Sequence, residues 1–330
     1  MLYRLAILAV LSLSFQLYGE VADSCLPQMD AIYDQDFGKK INKRQRESMH
    51  HAAQHQNQKL RVMTYNMLYN EKSAETLLPE THRWNARKPR LLEYLAFAKA
   101  DLIGSQELQE DQVKKVMDAL KNDYLYYGEK TRINEGRTDT NAIFFNPKRL
   151  ELIESKTIAY ENRTGDNAFT YCCFKDKILN KNFSVINTKL TWGNTDRRLA
   201  EASQLSQFTS LLPTDEPILV IGDFNLFPFL EHKNNLFFDG TFIESVLTEN
   251  NLREAKNISI FGHFGPLCSI TNSRKNLAPF VGPELTGFIL DHIFVNDQVN
   301  IFTHGIDTAR VNGEFPSDHF PVIADVYFKN

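Results

Sequence analysis

The residues best equipped for chemistry stand at the ends of apolar runs. Ser317-Asp318-His319-Phe320-Pro321-Val322, near the C-terminus, sets an acid beside an imidazole. Gly222-Asp223-Phe224-Asn225 ends an earlier apolar run, and Ser105-Gln106-Glu107 ends another. Asn66 ends a fourth, in Met63-Thr64-Tyr65-Asn66. Each run thus delivers Asp, Asn, Glu or His at its exit. Sheet proteins build sites there, on loops held by a rigid scaffold. Carboxylate and amide oxygens suit a hard divalent cation, and a nearby imidazole or carboxylate supplies a general base. Together they are the equipment for breaking phosphate esters.

Such a site needs strands that end together. Leu60–Tyr65 reads as a strand, and Asp101–Gln106 and Pro217–Asp223 as buried strands. Shorter β-like runs are expected over Tyr124–Tyr127, Ala142–Asn146, Leu150–Tyr160, Phe169–Lys175 and Asn182–Leu190. Phe288–Val295, Val299–Ala309 and Phe320–Phe328 are the expected closing strands. Helical spacing is predicted over Arg90–Lys99, Gln109–Leu120 and Arg197–Leu212. In the last, Leu199, Ala202, Leu205, Phe208 and Leu212 share a face. Hairpin-like strands mixed with helices predict an α/β (α+β) fold, with two sheets face to face and helices outside.

The 330 residues are 42% hydrophobic and include 24 Phe, which supports a sizeable core and argues against disorder. A net charge of −4 neither requires nor excludes nucleic acid. Residues 1–19 have the form of a secretory signal: Arg4 precedes the apolar run Leu5–Leu17, and Gly19 suits cleavage. The run is short for a membrane span, so export is expected, with a retained anchor as the alternative. Residues 20–58 are polar and charge-mixed and read as a linker, leaving 59–330 as the domain. Cys25, Cys172, Cys173 and Cys268 allow disulfides in an exported chain. Adjacent Cys172 and Cys173 should point to opposite faces of a strand and not pair with each other. His50, His51 and His55 lie in a polar, Gln-rich stretch that reads as solvated linker.

In this order, the motifs resemble those of the endonuclease/exonuclease/phosphatase superfamily, the deoxyribonuclease I-like hydrolases. The family also includes repair nucleases, deadenylases, nocturnin-like phosphatases, neutral sphingomyelinases and inositol phosphatases. Arg61–Asn66 resembles its opening strand, and Asp101–Glu107 its metal-binding strand. Asn187-Thr188-Lys189-Leu190, Gly222–Asn225, Leu290–Val295 and Ser317–Val322 resemble four further family segments. Thr140–Phe145 and Arg198 look most like a bacterial branch described as metal-dependent hydrolases.

The resemblance implies a four-layer α/β sandwich, two packed mixed sheets flanked by helices, with a cleft that needs Mg²⁺ or Mn²⁺. It implies Glu107 as a metal ligand, helped by Asp318 and, more weakly, by the oxygen of Asn66. Asn66 is also a natural turn residue after a strand. Asp223 and Asn225 would share one side of an extended segment, the acid handling a water and the amide donating to phosphate. A turn closed by the Asp side chain is the alternative. His319 would contact the phosphate or act as base, with Asp291 fixing its tautomer. His292 reads as structural.

Lys189 departs from the pattern, because the family has His, sometimes Tyr, at this place. A lysine there is expected to hold a phosphate oxygen as a fixed charge and to be a poor proton donor. Asn141, Asn194 and Arg198 are candidate phosphate or substrate contacts, although Arg198 equally suits a helix surface. The implied substrate is a phosphate ester: DNA, RNA, a nucleotide or, as the alternative, a membrane lipid. A phosphate-binding domain without turnover is a further alternative, resting on Lys189. A monomer is expected.

Overall fold

The computed structural model describes residues 58–329 apart from 71–77, 134–136, 162–166, 227–229, 233–234, 238 and 272–288. The expected signal segment 1–19, Cys25, the His50–His55 stretch and all but the last residue of the linker 20–58 lie outside the described residues.

In chain order the first strands are β1 (Leu60–Asn66), β2 (Leu102–Gln106), β3 (Leu125–Tyr127), β4 (Lys130–Ile133), β5 (Arg137–Thr140) and β6 (Ile143–Phe145). There follow β7 (Leu150–Ala159), β8 (Ala168–Asp176), β9 (Lys181–Lys189), β10 (Ile218–Asp223), β11 (Leu230–His232) and β12 (Asn235–Phe237). The last are β13 (Arg253–Glu254), β14 (His263–Phe264), β15 (Asp291–Val295), β16 (Val299–Ile306) and β17 (Val322–Phe328). The helices are α1 (Trp84–Ala98), α2 (Glu110–Leu120), α3 (Thr195–Ser210), α4 (Asp239–Thr248) and the short α5 (Ala255–Ile258).

One large sheet has the order β14-β16-β17-β1-β2-β6-β3, the other β13-β15-β10-β9-β8-β7. Both are mixed. β1 runs parallel to β2 and antiparallel to β17, while β10 runs parallel to β9 and antiparallel to β15.

Side chains alternate across a strand, and here both faces of each sheet are covered. Val62, Leu102, Ile143 and Val322 of the first sheet share a core with Val185, Leu219, Ile221 and Ile293 of the second. Their neighbours Met63, Tyr65, Ile103 and Phe144 turn outward onto Trp84, Leu91, Leu95, Val113 and Val116 of α1 and α2. From the second sheet, Ile186, Val220 and Phe294 turn outward onto Ala202, Leu205 and Leu247 of α3 and α4. The chain is therefore a four-layer α/β sandwich of the deoxyribonuclease I type, helices outside two packed sheets. Each fully buried aliphatic side chain contributes about 1.5–3 kcal/mol. Cys172 faces the inter-sheet core and Cys173 packs on the outer cluster. Both are free thiols.

The sheets approach closely near the exits of β2 and β9. A Cβ on Gly104 would stand 2.7 Å from Asn187 Oδ1 and from Ile221 Cδ1. Asn187 bridges the sheets there. Its Nδ2 donates to the carbonyls of Ser105 (2.9 Å) and Ala142 (3.1 Å), and its Oδ1 accepts from Gln106 Nε2 at 2.7 Å.

The sequence misplaces several boundaries: the strand expected over Val299–Ala309 ends at Ile306, that over Phe288–Val295 begins at Asp291, and the helix over Arg197–Leu212 runs Thr195–Ser210. Two further shifts have clear physical reasons. Helix α1 begins at Trp84, not Arg90, although Pro89 lies inside it and removes a donor. Burial outweighs that loss. Fully buried Arg87 donates to the carbonyls of Met67 (2.6 Å), Leu68 and Pro316 (3.4 Å), and its guanidinium lies 5.0 Å from the Trp84 ring centre. Strand β17 begins at Val322, after Pro321, which has no ladder N–H to give. The preceding residues are pinned instead to Ser269–Thr271: Phe320 N donates to Ser269 O and Thr271 N to Asp318 O, each at 2.7 Å.

Candidate active site

Strand pairing explains why distant motifs meet. The parallel pair β1–β2 sets Asn66 beside Gln106, so Glu107 leaves the sheet at the same edge. The parallel pair β9–β10 sets Lys189 beside Asp223. Antiparallel β15 starts where β10 ends, which puts Asp291 opposite Asp223.

The side chains at these exits form one buried network. His319 Nδ1 lies 2.8 Å from Asp291 Oδ2. Asn66 Nδ2 donates to Asp223 Oδ2 at 3.0 Å and stands 3.5 Å from His319 Nε2. Among the described residues, the ligand-capable atoms of Asp223, Asp291 and His319 lie within 4.8 Å of one another. Lys189 Nζ donates to Glu107 Oε1 at 2.6 Å.

Neighbouring groups fix this network. Ser269 Oγ accepts from the N–H groups of Leu290 (2.8 Å) and Asp291 (3.2 Å). Ser317 Oγ donates to the Asn66 carbonyl at 2.7 Å. Glu107 Oε2 accepts from Tyr69 N–H at 3.4 Å. Glu107 (φ 65°), Asn225 (φ 50°) and Leu68 (φ 56°) all adopt left-handed backbone. Such conformations cost of order 1–3 kcal/mol each and gather at functional sites.

The electrostatics are unbalanced. Burial and the charge of Asp291 push the Asp223 carboxyl up to about 6, against the opposing pull of His319 and Lys189. Burial alone would lower His319, but Asp291, through charge and hydrogen bond, then Asp223 and Asp318, lift it to about 10. At neutral pH the ring is therefore an imidazolium, a donor on both nitrogens.

These residues fit a divalent cation. Asp291 Oδ1 is buried without a hydrogen-bond partner. Glu107, Asp223, Asp291 and Asp318 are all buried, and their four negative charges exceed the two positive charges of Lys189 and His319. The donors are oxygens, which suits Mg²⁺ or Mn²⁺. The ligand-capable atoms of Asp223, Asp291 and His319 converge, but a protonated His319 has no lone pair to give, so the ligands would be the carboxylates, among them Glu107 and Asp318, which the sequence singles out with Asn66. Glu107 is engaged by Lys189, and Asn66 Oδ1 accepts from Leu68 N at 3.1 Å in a tight turn. Asp318 is buried, with Ser317 Oγ 3.4 Å from its Oδ1.

Several expectations need correction. Asp223 and Asn225 do not share one side of an extended segment. Asp223 Oδ1 accepts from Asn225 N–H at 3.0 Å, closing a turn, and Asn225 Nδ2 donates to the Leu190 carbonyl at 2.8 Å. A polar side chain can satisfy nearby backbone more cheaply than an extended chain can. Arg198 is not on the helix surface: it is fully buried and donates to Thr191 O (2.8 Å) and Thr195 Oγ1 (3.3 Å).

The remaining candidates occupy varied settings. Asn194 is exposed and caps α3, its Oδ1 accepting from Arg197 N at 3.1 Å. Asn141 is buried and donates to the Ala168 carbonyl at 2.7 Å. His292 bridges Glu254 (2.8 Å) and the Ile289 carbonyl (2.9 Å). Ser269 and Arg87 escaped the sequence reading, because neither stands in a polar motif at a strand exit. Ser317 stood inside a quoted motif without a role.

A model of the Endonuclease/Exonuclease/phosphatase family matches residues 63–319. Protein angel of Drosophila melanogaster is 28% identical over 197 residues, 53% of this chain and 54% of that protein. The chain thus spans about half the length of that relative. Among solved structures, the endonuclease/exonuclease/phosphatase from Bacteroides vulgatus is similar, with a TM-score of 0.68 and 20% identity over 82% of this chain and 99% of that one. The mannosyl-6-phosphatase Bt3783 of Bacteroides thetaiotaomicron has a TM-score of 0.66 and 20% identity, covering 82% of this chain and 100% of that one.

Proposed function

The chain belongs to the endonuclease/exonuclease/phosphatase family, and from that premise we propose that it is a metal-dependent phosphoesterase that hydrolyses its ester by in-line attack of water. The observation that carries this reading is the convergence of buried Asp223, Asp291 and His319, tied to Asn66 and beside the Lys189–Glu107 pair.

Each residue has a part. Asp223, with its carboxyl near 6, is the base that takes the proton of the attacking water. Asn66 orients Asp223 through the bond from its Nδ2. His319, charged and aimed by Asp291, donates from Nε2 to a phosphate oxygen as negative charge builds. Those two residues thus stabilise charge, and the base is Asp223. A divalent ion held by Glu107 and the neighbouring carboxylates would supply Lewis-acid stabilisation of the phosphoryl oxygens.

Our reading of the substrate is a nucleic acid or nucleotide. A sugar phosphate belongs beside it, because a protein of similar fold is a mannosyl-6-phosphatase. A membrane lipid is the alternative. The aromatic runs Phe227–Leu230 and Leu236–Phe238 read better as core than as a membrane-inserting hairpin, and their side chains lie outside the described residues. Binding without turnover is the second reading, and the Lys189–Glu107 ion pair at 2.6 Å is the observation that favours it. We also propose export, from residues 1–19, which N-terminal sequencing of protein recovered from the medium or periplasm would check.

The test is hydrolysis of p-nitrophenyl phosphate and bis-p-nitrophenyl phosphate, with and without Mg²⁺ or Mn²⁺. A panel of DNA, RNA, nucleotides, sugar phosphates, inositol phosphates and sphingomyelin follows. Metal-stimulated turnover supports the reading. Absence of turnover on every substrate with either metal would overturn it in favour of binding alone.

A further inference from the structure

Lys189 is paired with a carboxylate of the site. Its Nζ is 2.6 Å from Glu107 Oε1, with the two side chains only 12% and 5% exposed. Both come from fixed positions. Lys189 ends β9 in register with Asp223, and Glu107 leaves β2 on left-handed backbone. The second oxygen of Glu107 accepts from Tyr69 N–H at 3.4 Å. Both oxygens of this carboxylate are thus engaged, one of them by a full positive charge.

A hard cation seeks the same oxygens, and its charge has the same sign as the ammonium. Burial leaves their repulsion poorly screened by salt. An imidazole, which the family resemblance places here, can stay neutral, whereas a lysine brings a compact point charge. From this geometry we infer that Lys189 is a built-in competitor for the metal, seated on Glu107, which lowers the affinity of the site for divalent ions. The inference rests on the reading that Glu107 helps to hold the cation. It assigns Lys189 a control over metal occupancy in place of direct phosphate binding.

The experiment measures metal binding on the full chain, independently of turnover. Mn²⁺ affinity is read by calorimetry and by loss of the free-ion paramagnetic signal, and stabilisation by the Mn²⁺-induced rise in Tm. Lys189→Met keeps length and removes charge. Lys189→Gln also leaves Glu107 a hydrogen-bond donor, and so guards against a folding failure. Both should bind Mn²⁺ at least about tenfold more tightly than wild type and show a larger Tm rise. Lys189→Arg, which keeps the charge, should bind as wild type does.

Glu107→Gln should weaken binding and abolish the gain in the double variant with Lys189→Met. If binding depends on Glu107 but Lys189→Met and Lys189→Gln match wild type or bind more weakly, the inference falls and the metal reading stands. If Mn²⁺ binds none of these proteins, or binds without regard to Glu107, both fall.

Discussion

Asn66 Nδ2 donates to Asp223 Oδ2 across 3.0 Å and so ties the end of β1 in one sheet to the end of β10 in the other. Asp223 has a second anchor, the Asn225 N–H on its other oxygen at 3.0 Å. The base is held from both sheets.

Asn66→Ala removes one anchor of Asp223 and, with it, the bond from Leu68 N–H to Asn66 Oδ1 that closes the next turn. We expect kcat to fall roughly ten- to a hundredfold, in line with the effect of slight misplacement of a reacting group. KM should change little, and stability should drop by about 1–2 kcal/mol for the lost buried hydrogen bond. Steady-state kinetics and a urea melt check both numbers. A kcat within twofold of wild type would show that the Asn225 turn alone suffices.

His319 and Asp291 should act as a unit, since Asp291 accepts from His319 Nδ1 at 2.8 Å. The double variant Asp291→Asn/His319→Ala is then little worse than His319→Ala alone, because losses within a unit do not multiply. A four-point cycle in kcat/KM decides it. Fully multiplicative losses would assign Asp291 a separate task, for which its unpartnered Oδ1 is the obvious atom.

Glu107→Gln preserves shape and removes the negative charge that faces Lys189. Activity should fall by about two orders of magnitude, the range for losing a key electrostatic group. The thermal melt should shift far less than the rate. Unchanged metal-stimulated turnover in a folded Glu107→Gln protein would remove Glu107 from the site.

The pH profile follows from Asp223. Its carboxyl is raised to about 6, so the base is neutralised as pH falls through that value. kcat/KM should rise between pH 5 and 7 with one limb near 6, belonging to the coupled Asp223–Asp291–His319 group. His319, at about 10, stays charged throughout that range and adds no limb there. A limb that survives in Asp223→Asn would point to another group.

Stability has its own pH dependence, part of it set away from the site. His263 Nε2 donates to the Pro266 carbonyl at 3.0 Å, so its Nδ1 accepts from His304 Nδ1, 2.9 Å away. Burial, then the neighbouring His263, depress His304 to about 3. Between the ordinary histidine value and 3, the unfolded chain takes a proton that the folded chain refuses. The share of stability that depends on neutral His304 is therefore full above about pH 6.5 and is lost on acidification. The raised carboxyl of Asp223 and the raised ring of His319 act in the opposite direction over the same window, so the readout is a difference: from pH 7 to 5, wild type should lose about 5 °C of Tm relative to His304→Gln. Equal slopes in the two proteins would locate the acid sensitivity elsewhere.

The sequence by itself determined the layers and the chemistry at their edges. The continuous apolar run Pro217–Ile221 marks a strand covered on both faces, because alternate residues need cover on opposite sides. Polar residues at the ends of such runs must lie where the sheet meets solvent or a ligand, so Asn66, Glu107, Asp223 and His319 were legible as a group.

What tertiary structure decided was which groups pair. No local pattern tells Lys189 to find Glu107, 82 positions away, because that choice depends on inter-sheet register, set here by Asn187 and Gly104. Nor does sequence show that Asn225 turns back on Asp223, that Arg198 is buried, or that Ser269 holds Asp291. Each is a polar side chain satisfying whichever donor or acceptor the packed sheets bring near. A buried polar group must be satisfied, but only the fold supplies the partner.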